Sequence, residues 1–461
     1  MRAHVAARWL WSVVLGMCAF TALCVERAGK MEGPASEALP REAPVLASRL
    51  LAIESGLSRV WNSSRTRDAL VFTQALLLGH KARRDFNVYS WAFRARNFRI
   101  GKPDDGTIFL RGEEQLAGIG ALLCHSILTF NCFRDKYNRQ EPDLFSSIGR
   151  GRKVSRIASV RAVLTTKDGF CETLRSTRLA EGELDAFAFP CWSLPVDLGA
   201  LRAAANTTLA SSVWIVKPKR GSMGIGIRVL EPQQLGQFLS QPSLVNFVVQ
   251  PYLSQPLLQR GRKWDVRTYV LVTSVLPMRV YLFTEAIVRY ASAKYSPASR
   301  EPGAVLTNTF VGKRVLHSGV RDITGSLNGL CPIFAEEGEN CAPLLLAMRT
   351  AIGKLFLASE PRFSHLYGEH GFRCAGCYHL FGVDLIADSS RRFRVIEVNV
   401  APDLTLSTEG ACNSSGTKCE WGSTPYDHTK RAVAFNTVQL VYSGAGCPAI
   451  PRCTASYRIV F

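Results

Sequence analysis

Two runs near the C-terminal end, HLFGVDLIAD (379–388) and FRVIEVNVAPDL (393–404), decide how this chain is read. Leu, Phe, Val and Ile fill both, which predicts two buried strands, and the polar SSRR between them supplies a turn. Strand side chains alternate faces, so Glu397 and Asn399 point the same way, and an antiparallel neighbour brings Asp384 beside them. Three oxygen-bearing side chains at one place suit Mg²⁺, which takes hard oxygen ligands and leaves its other positions to waters and substrate phosphates. Acids that merely pair at the rim of a sheet are the plainer alternative.

Working upstream, VWIVKPKRGSMGIGIRVL (213–230) reads as a strand ending at Lys217, a loop with Gly221, Gly224 and Gly226, and another strand. Backbone N–H groups in such a loop can close over phosphates where a side chain would collide, and Lys217 adds a point charge. It is neither a Walker A loop nor a dinucleotide fingerprint, since no GKS or GKT and no well-placed second-strand acid is present. In RKWDVRTYVLVTS (262–274), Lys263, Asp265 and Arg267 fall at i, i+2 and i+4, so an extended backbone presents all three on one face. A structural salt-bridge ladder would show the same pattern, but charges entering so apolar a strand are costly to bury unless they bind something, which favours a functional reading. Arg289 in AIVRYAS (286–292) and Asn308 in LTNTF (306–310) continue the series.

Taken in order, LTTKDGF (164–170), WIVKP, GSMGIGI, VVQPYL (248–253), RKWDVRTYVLV, AIVRYAS, LTN, FGVDL and VIEVNVAPDL resemble the motifs of tubulin-tyrosine-ligase-like enzymes, a group of ATP-grasp amino-acid ligases. The resemblance covers about residues 164–404 and implies an α/β (α+β) ATP-grasp fold with N-terminal, central and C-terminal subdomains. It also implies ATP and Mg²⁺ as cofactors. Lys167, Lys217, Lys263, Asn308 and the loop glycines Gly221 and Gly224 would contact the nucleotide, with Gln250, Pro251, Tyr252 and Leu253 as its adenine hinge. Asp384, Glu397 and Asn399 would hold the metal, and Asp265, Arg267 and Arg289 would carry the chemistry at the acceptor and the incoming amino acid. Pro251 stands where the family usually has lysine, and it has no backbone N–H to donate.

Joining a carboxylate to an amine in water is uphill, and transferring the γ-phosphoryl group of ATP to the carboxylate is one way to drive it. Such transfer needs positioning and charge neutralisation more than a covalent nucleophile, which suits lysines, arginines and Mg²⁺. No Ser/His/Asp or Cys/His arrangement competes, and His365, His370 and His379 read as structural. The expected activity is addition of an amino acid to a carboxylate of an acidic protein, with glutamate favoured over glycine or tyrosine. A small-molecule or peptide ligase, and a binding module with a decayed nucleotide site, are the alternatives.

The net charge of +19 is high, with arginines spread through the N-terminal half. A basic surface steers acidic partners, and no nucleic-acid motif accompanies it. The run WLWSVVLGMCAFTALCV (9–25) follows Arg2 and Arg8 and reads as a signal peptide, with membrane anchoring through residues 9–25 as the alternative. Fourteen cysteines, several close together, and sequons at Asn62, Asn206 and Asn413 favour disulfides and a secretory setting. There the acceptor would be an acidic luminal protein; in the cytoplasm it would be tubulin. A zinc site of Cys374, Cys377, Cys412 and Cys419 is the rival use of cysteine. The organisation expected is a leader at 1–25, a polar linker at 26–48, an N-terminal subdomain at 49–160, a catalytic region at 161–440 divided into about 196–300 and 301–440, and a cysteine-containing tail at 441–461. Helical stretches such as LAGIGALLCHSIL (116–128) are expected in the N-terminal subdomain, and LLLAMRTAIGKLFLAS (344–359) as an amphipathic helix before the metal strands.

Overall fold

The apolar and charged residues that alternate along Arg262–Val275 make it the strand to which the rest of the fold attaches. The computed structural model describes chiefly residues 160–307 (without 208, 211, 222, 223 and 242), 340–369, 376–406 and 424–442. Short pieces at 70–73, 88–89, 92, 99–100, 119–123, 153–155, 157, 159, 324–327, 331, 334 and 457–460 are described as well. The chain divides into two compact units, 1–67 and 68–461, of which the first, with the expected leader and linker, lies outside the described residues.

Strands β1 (Leu70–Thr73), β2 (Arg99–Ile100), β3 (Ile119–Leu123) and β4 (Lys153–Val154) form a parallel sheet in the order β2-β1-β3-β4. The helical expectation at 116–128 is therefore corrected by β3. Gly118 and Gly120 disfavour helix, and a short apolar run does not distinguish the two states by its period.

Strands β5 (Trp192–Ser193), β6 (Trp214–Pro218), β7 (Arg228–Leu230) and β8 (Phe247–Pro251) form a small antiparallel sheet in the order β5-β8-β6-β7. Trp214, Val216 and Val249 pack on one of its faces with Leu201, Leu235 and Phe238 from the helices Leu198–Asn206 and Pro232–Leu239. Lys217 and Gln250 point to the opposite side, as period-2 alternation requires.

The large sheet contains β9 (Leu258–Gln259), β10 (Arg262–Val275), β11 (Met278–Phe283), β12 (Ile287–Tyr290), β13 (Thr324–Ser326), β14 (His379–Ala387), β15 (Phe393–Asn399) and β16 (Tyr457–Ile459). All its pairings are antiparallel, with β10 beside β11, β12 and β14, and β14 beside β15. Trp264, Val266, Val270 and Val272 of β10 enter the main core, where Trp264 stacks edge-on against Phe334 and Phe393. The expected helix is longer than its apolar run, Cys341–Glu369. Its length and composition would suffice to cross a membrane, but Leu344, Met348, Ile352, Leu355, Phe356 and Phe363 fall at helical spacing and are buried in this core. Arg362 ties it to the helix Lys167–Ser176 by donating to the Gly169 carbonyl at 3.1 Å.

Two disulfides join Cys171 to Cys191 and Cys331 to Cys341, and Cys377 is disulfide-bonded as well. The bond at Cys377 removes a thiolate from the zinc alternative. Its other three cysteines lie outside the described residues.

Gly382 marks the tightest approach within the large sheet: a Cβ there would stand 2.9 Å from Pro402 Cβ and 3.0 Å from Arg267 Cδ. Gly382→Ala is expected to lose about 1–3 kcal/mol by overpacking, measured by urea denaturation followed by circular dichroism.

Candidate active site

Both sheets turn their charged rows toward one cavity of about 480 Å³. On β10 the row is Lys263, Asp265, Arg267 and Tyr269, the alternate residues to those that enter the core. The register sets Asp265 opposite Arg289 of β12, and Arg267 opposite Asp384 of β14. Glu397 of β15 lies opposite Asp384, and Asn399 opposite Gly382.

That last placement depends on a bulge. Asp384 pairs with Glu397 while Leu385 pairs with Val395, so Ile396 is an extra residue in β15. Without it, Glu397 would share the face of Phe393 and Val395, which are buried in the core. With it, Glu397 and Asn399 line the cavity and Val398 returns to the core.

A network of ion pairs closes the floor. Arg267 grips Asp384 bidentately, with Nε on Oδ1 and Nη2 on Oδ2 at 2.8 Å. Arg289 bridges the two acids, from Nε to Asp265 Oδ1 at 2.6 Å and from Nη2 to Asp384 Oδ2 at 3.0 Å. Thr307 donates its hydroxyl to Asp265 Oδ2. Burial alone would raise both carboxyls. At Asp384 the guanidinium groups of Arg267 and Arg289 outweigh it and hold the group well below the usual carboxylate range. At Asp265, which has Arg289 but also faces Asp384, burial wins and the carboxyl is raised.

The lysines are arranged differently. Lys217 Nζ donates to Gln250 Oε1 at 2.8 Å across the small sheet. Lys263 donates to the Tyr252 hydroxyl at 2.8 Å and lies 4.1 Å from the centre of that ring. Burial pulls Lys217 down to about 8, with Glu397 opposing, and Lys263 down to about 7, with Asp265 opposing. Lys167, first residue of its helix, is half-buried in the cavity wall and donates to the Gly221 carbonyl at 3.2 Å. Gly224 and Gly226 take φ of 75° and 76°, and a Cβ on Gly226 would stand 2.9 Å from Pro218. This backbone favours glycine on both counts.

Asp384, Glu397 and Asn399 fit a hard cation. The Asn399 amide nitrogen lies 3.3 Å from Glu397 Oε1 and 3.5 Å from Asp384 Oδ2, so the three head groups converge. A half-turn of that amide presents its oxygen at the same point, completing an oxygen-only donor set.

The family model described as the tubulin-tyrosine ligase family matches residues 160–413, more than half of the chain. The chain belongs to this family. The human tubulin monoglutamylase TTLL4 is 32% identical over 253 residues, which span 52% of this chain and 21% of that protein. The tubulin polyglutamylase ttll-4 of Caenorhabditis elegans is 31% identical over 238 residues, 50% of this chain and 38% of that protein. The mouse tubulin polyglutamylase TTLL5 is 30% identical over 206 residues, 41% of this chain and 15% of that protein. The chain thus spans well under two thirds of these relatives.

Against this family background, the cavity gathers every residue expected from the sequence except Asn308, which lies outside the described residues. The segment expected to be the hinge contributes Gln250, Pro251, Tyr252 and Leu253 to its wall. Two contacts in the cavity were missed: the Lys217–Gln250 pair, and Tyr252 as the partner of Lys263. The pairing of β6 with β8 makes the first contact, and the second joins residues 11 apart across two different sheets, so neither follows from alternation along one strand. Tyr269 was missed too, although the alternation that groups Lys263, Asp265 and Arg267 extends to it. His379 is buried, with Nε2 2.6 Å from the Val400 carbonyl oxygen, in the structural role expected of it.

Asp384→Asn leaves two buried guanidinium groups short of a counter-charge. It is expected to cost about 3–5 kcal/mol of stability, read as a lower urea midpoint, whereas Glu397→Gln, at a half-buried position, leaves that midpoint in place.

Proposed function

We propose that the chain is an ATP- and Mg²⁺-dependent ligase that adds glutamate to a carboxylate of an acidic protein. The observation that carries this reading is the meeting in one cavity of two buried lysines, the arginine–aspartate network and the oxygen donors of β14 and β15. Glutamate is preferred to glycine or tyrosine because the relatives named above are glutamylases of tubulin, which is accordingly the first acceptor to test.

The chemistry runs in two displacements. The acceptor carboxylate attacks the γ-phosphorus of ATP and ADP leaves; the amine of the incoming amino acid then attacks the acyl carbon, phosphate departs and the amine gives up a proton. Lys167, Lys217 and Lys263 neutralise phosphate charge, while Gly221 and Gly224 keep the loop backbone free to approach it. Gln250 to Leu253 edge the adenine, with the Pro251 carbonyl and Leu253 N–H as its backbone partners. Arg267 and Arg289 orient the two carboxylates and stabilise the oxyanion at the acyl carbon, and Asp265 holds Arg289 in place. Asp384, Glu397 and Asn399 would hold Mg²⁺, which would supply further positive charge to the phosphates. The disulfides favour a second setting for the same chemistry, an oxidising compartment in which another acidic protein is the acceptor.

Two outcomes test the reading. Glu397→Gln is expected to abolish ATP-dependent incorporation of radiolabelled glutamate while the protein stays folded; wild-type turnover in that variant removes Glu397 from the site. The pH dependence follows from the lysines. In the free protein Lys263 and Lys217 lose their protons near pH 7 and 8, and phosphate favours the charged forms. ATP binding therefore takes up protons, and affinity falls as pH rises through this range, by up to about tenfold per pH unit for each lysine recharged. Calorimetry in buffers of different ionisation enthalpy reads both the uptake and the affinity.

A further inference from the structure

The cavity continues past Arg267 to the loop that follows β15 and to the helix Pro425–Tyr442, where Tyr269, Asp403, Tyr426 and Lys430 line it. None of these four has a part in the chemistry above. Lys430 is a cation whose side chain is 1% exposed. Its ammonium is fixed by the Asp403 carboxylate at 3.1 Å and the Thr405 carbonyl at 2.6 Å, and stands 4.1 Å from the centre of the Tyr426 ring. Tyr269 sits two residues beyond Arg267 on the same face of β10, is fully buried, and has a hydroxyl with no hydrogen-bond partner among the described residues. A buried hydroxyl left so is a cost to the fold that a ligand can remove. Burial holds the phenol protonated, so it stands as a donor.

A donor hydroxyl, a fixed ammonium and the guanidinium of Arg267 recognise anionic oxygen, and the walls of Tyr269 and Tyr426 keep the interaction strong by limiting water. Two residues of strand advance about 7 Å. An acidic amino acid whose amine reacts beside Arg267 crosses that span with its side chain. We infer that this end of the cavity is the pocket for the side-chain carboxylate of the incoming amino acid, and that Tyr269 and Lys430 are the residues that select glutamate. Glycine leaves the Tyr269 hydroxyl unpartnered, and glutamine brings no charge to Lys430. The inference rests on the ligase reading above.

The test uses the full-length protein with ATP, Mg²⁺, tubulin as acceptor, and radiolabelled glutamate, glutamine or glycine. Tyr269→Phe deletes one oxygen that bonds nothing in the free protein, so it leaves the fold intact. It is expected to raise KM for glutamate by at least about tenfold, as loss of a hydrogen bond to a charged group does, with KM for ATP unmoved. Lys430→Met is expected to bring the rates with glutamate and glutamine together, and Lys430→Arg to restore part of the preference. A wild-type KM for glutamate in Tyr269→Phe overturns the pocket and leaves the ligase reading standing. A wild-type protein that transfers glycine alone overturns the glutamate-ligase reading and the pocket with it.

Discussion

The carboxylate of Asp384 is the point on which this structure turns. It lies in the large sheet with 3% of its side chain exposed, and two guanidinium groups reach it, one from the adjacent β10 and one from β12 on the far side of β10. Arginine does not shed its charge, so neither Arg267 nor Arg289 can enter an apolar sheet without an acid to meet it. The meeting holds β10, β12 and β14 in register, because a slip of one residue would turn the whole charged row into the core occupied by Trp264 and Val266. The same carboxylate belongs to the oxygen cluster with Glu397 and Asn399. One side chain thus serves two demands, the integrity of the sheet and the charge of the site.

The small sheet answers a different constraint. Its aromatic and branched residues bury one face against helices, which leaves the other face free to oppose the large sheet across a cavity. Lys217 and Lys263 enter that space from opposite sheets, each with a neutral partner, Gln250 and Tyr252. Uncharged partners leave burial free to depress both ammonium groups, whereas a carboxylate in direct contact would have held their protons on.

How much of this was legible in the sequence varied with the kind of regularity involved. Period-2 alternation along Arg262–Val275 placed Lys263, Asp265 and Arg267 on one face, and the two apolar runs around Asp384 and Glu397 were strands, as read. Alternation could not reveal the extra residue at Ile396, since a bulge is defined by its partner strand. It failed as well at Ile119–Leu123, where a short apolar run fits a helix or a strand equally and the neighbouring strands decide. The Tyr252–Lys263 contact joins two different sheets and the cluster around Lys430 joins a loop to a later helix, so their chemistry became visible only once the chain was folded.

The bond between Cys171 and Cys191 has a wider consequence. Cys171 lies in the helix that Lys167 begins, and Cys191 lines the cavity just before β5. Closing a loop of 20 residues restricts the unfolded chain and, on the chain-entropy account, contributes about 3 kcal/mol. The segment that carries one of the cavity's cations is thereby fastened by a covalent clasp instead of by packing alone. Its hold on the remainder of the site follows the redox potential of the surroundings, a variable to which the ion pairs of the floor are indifferent.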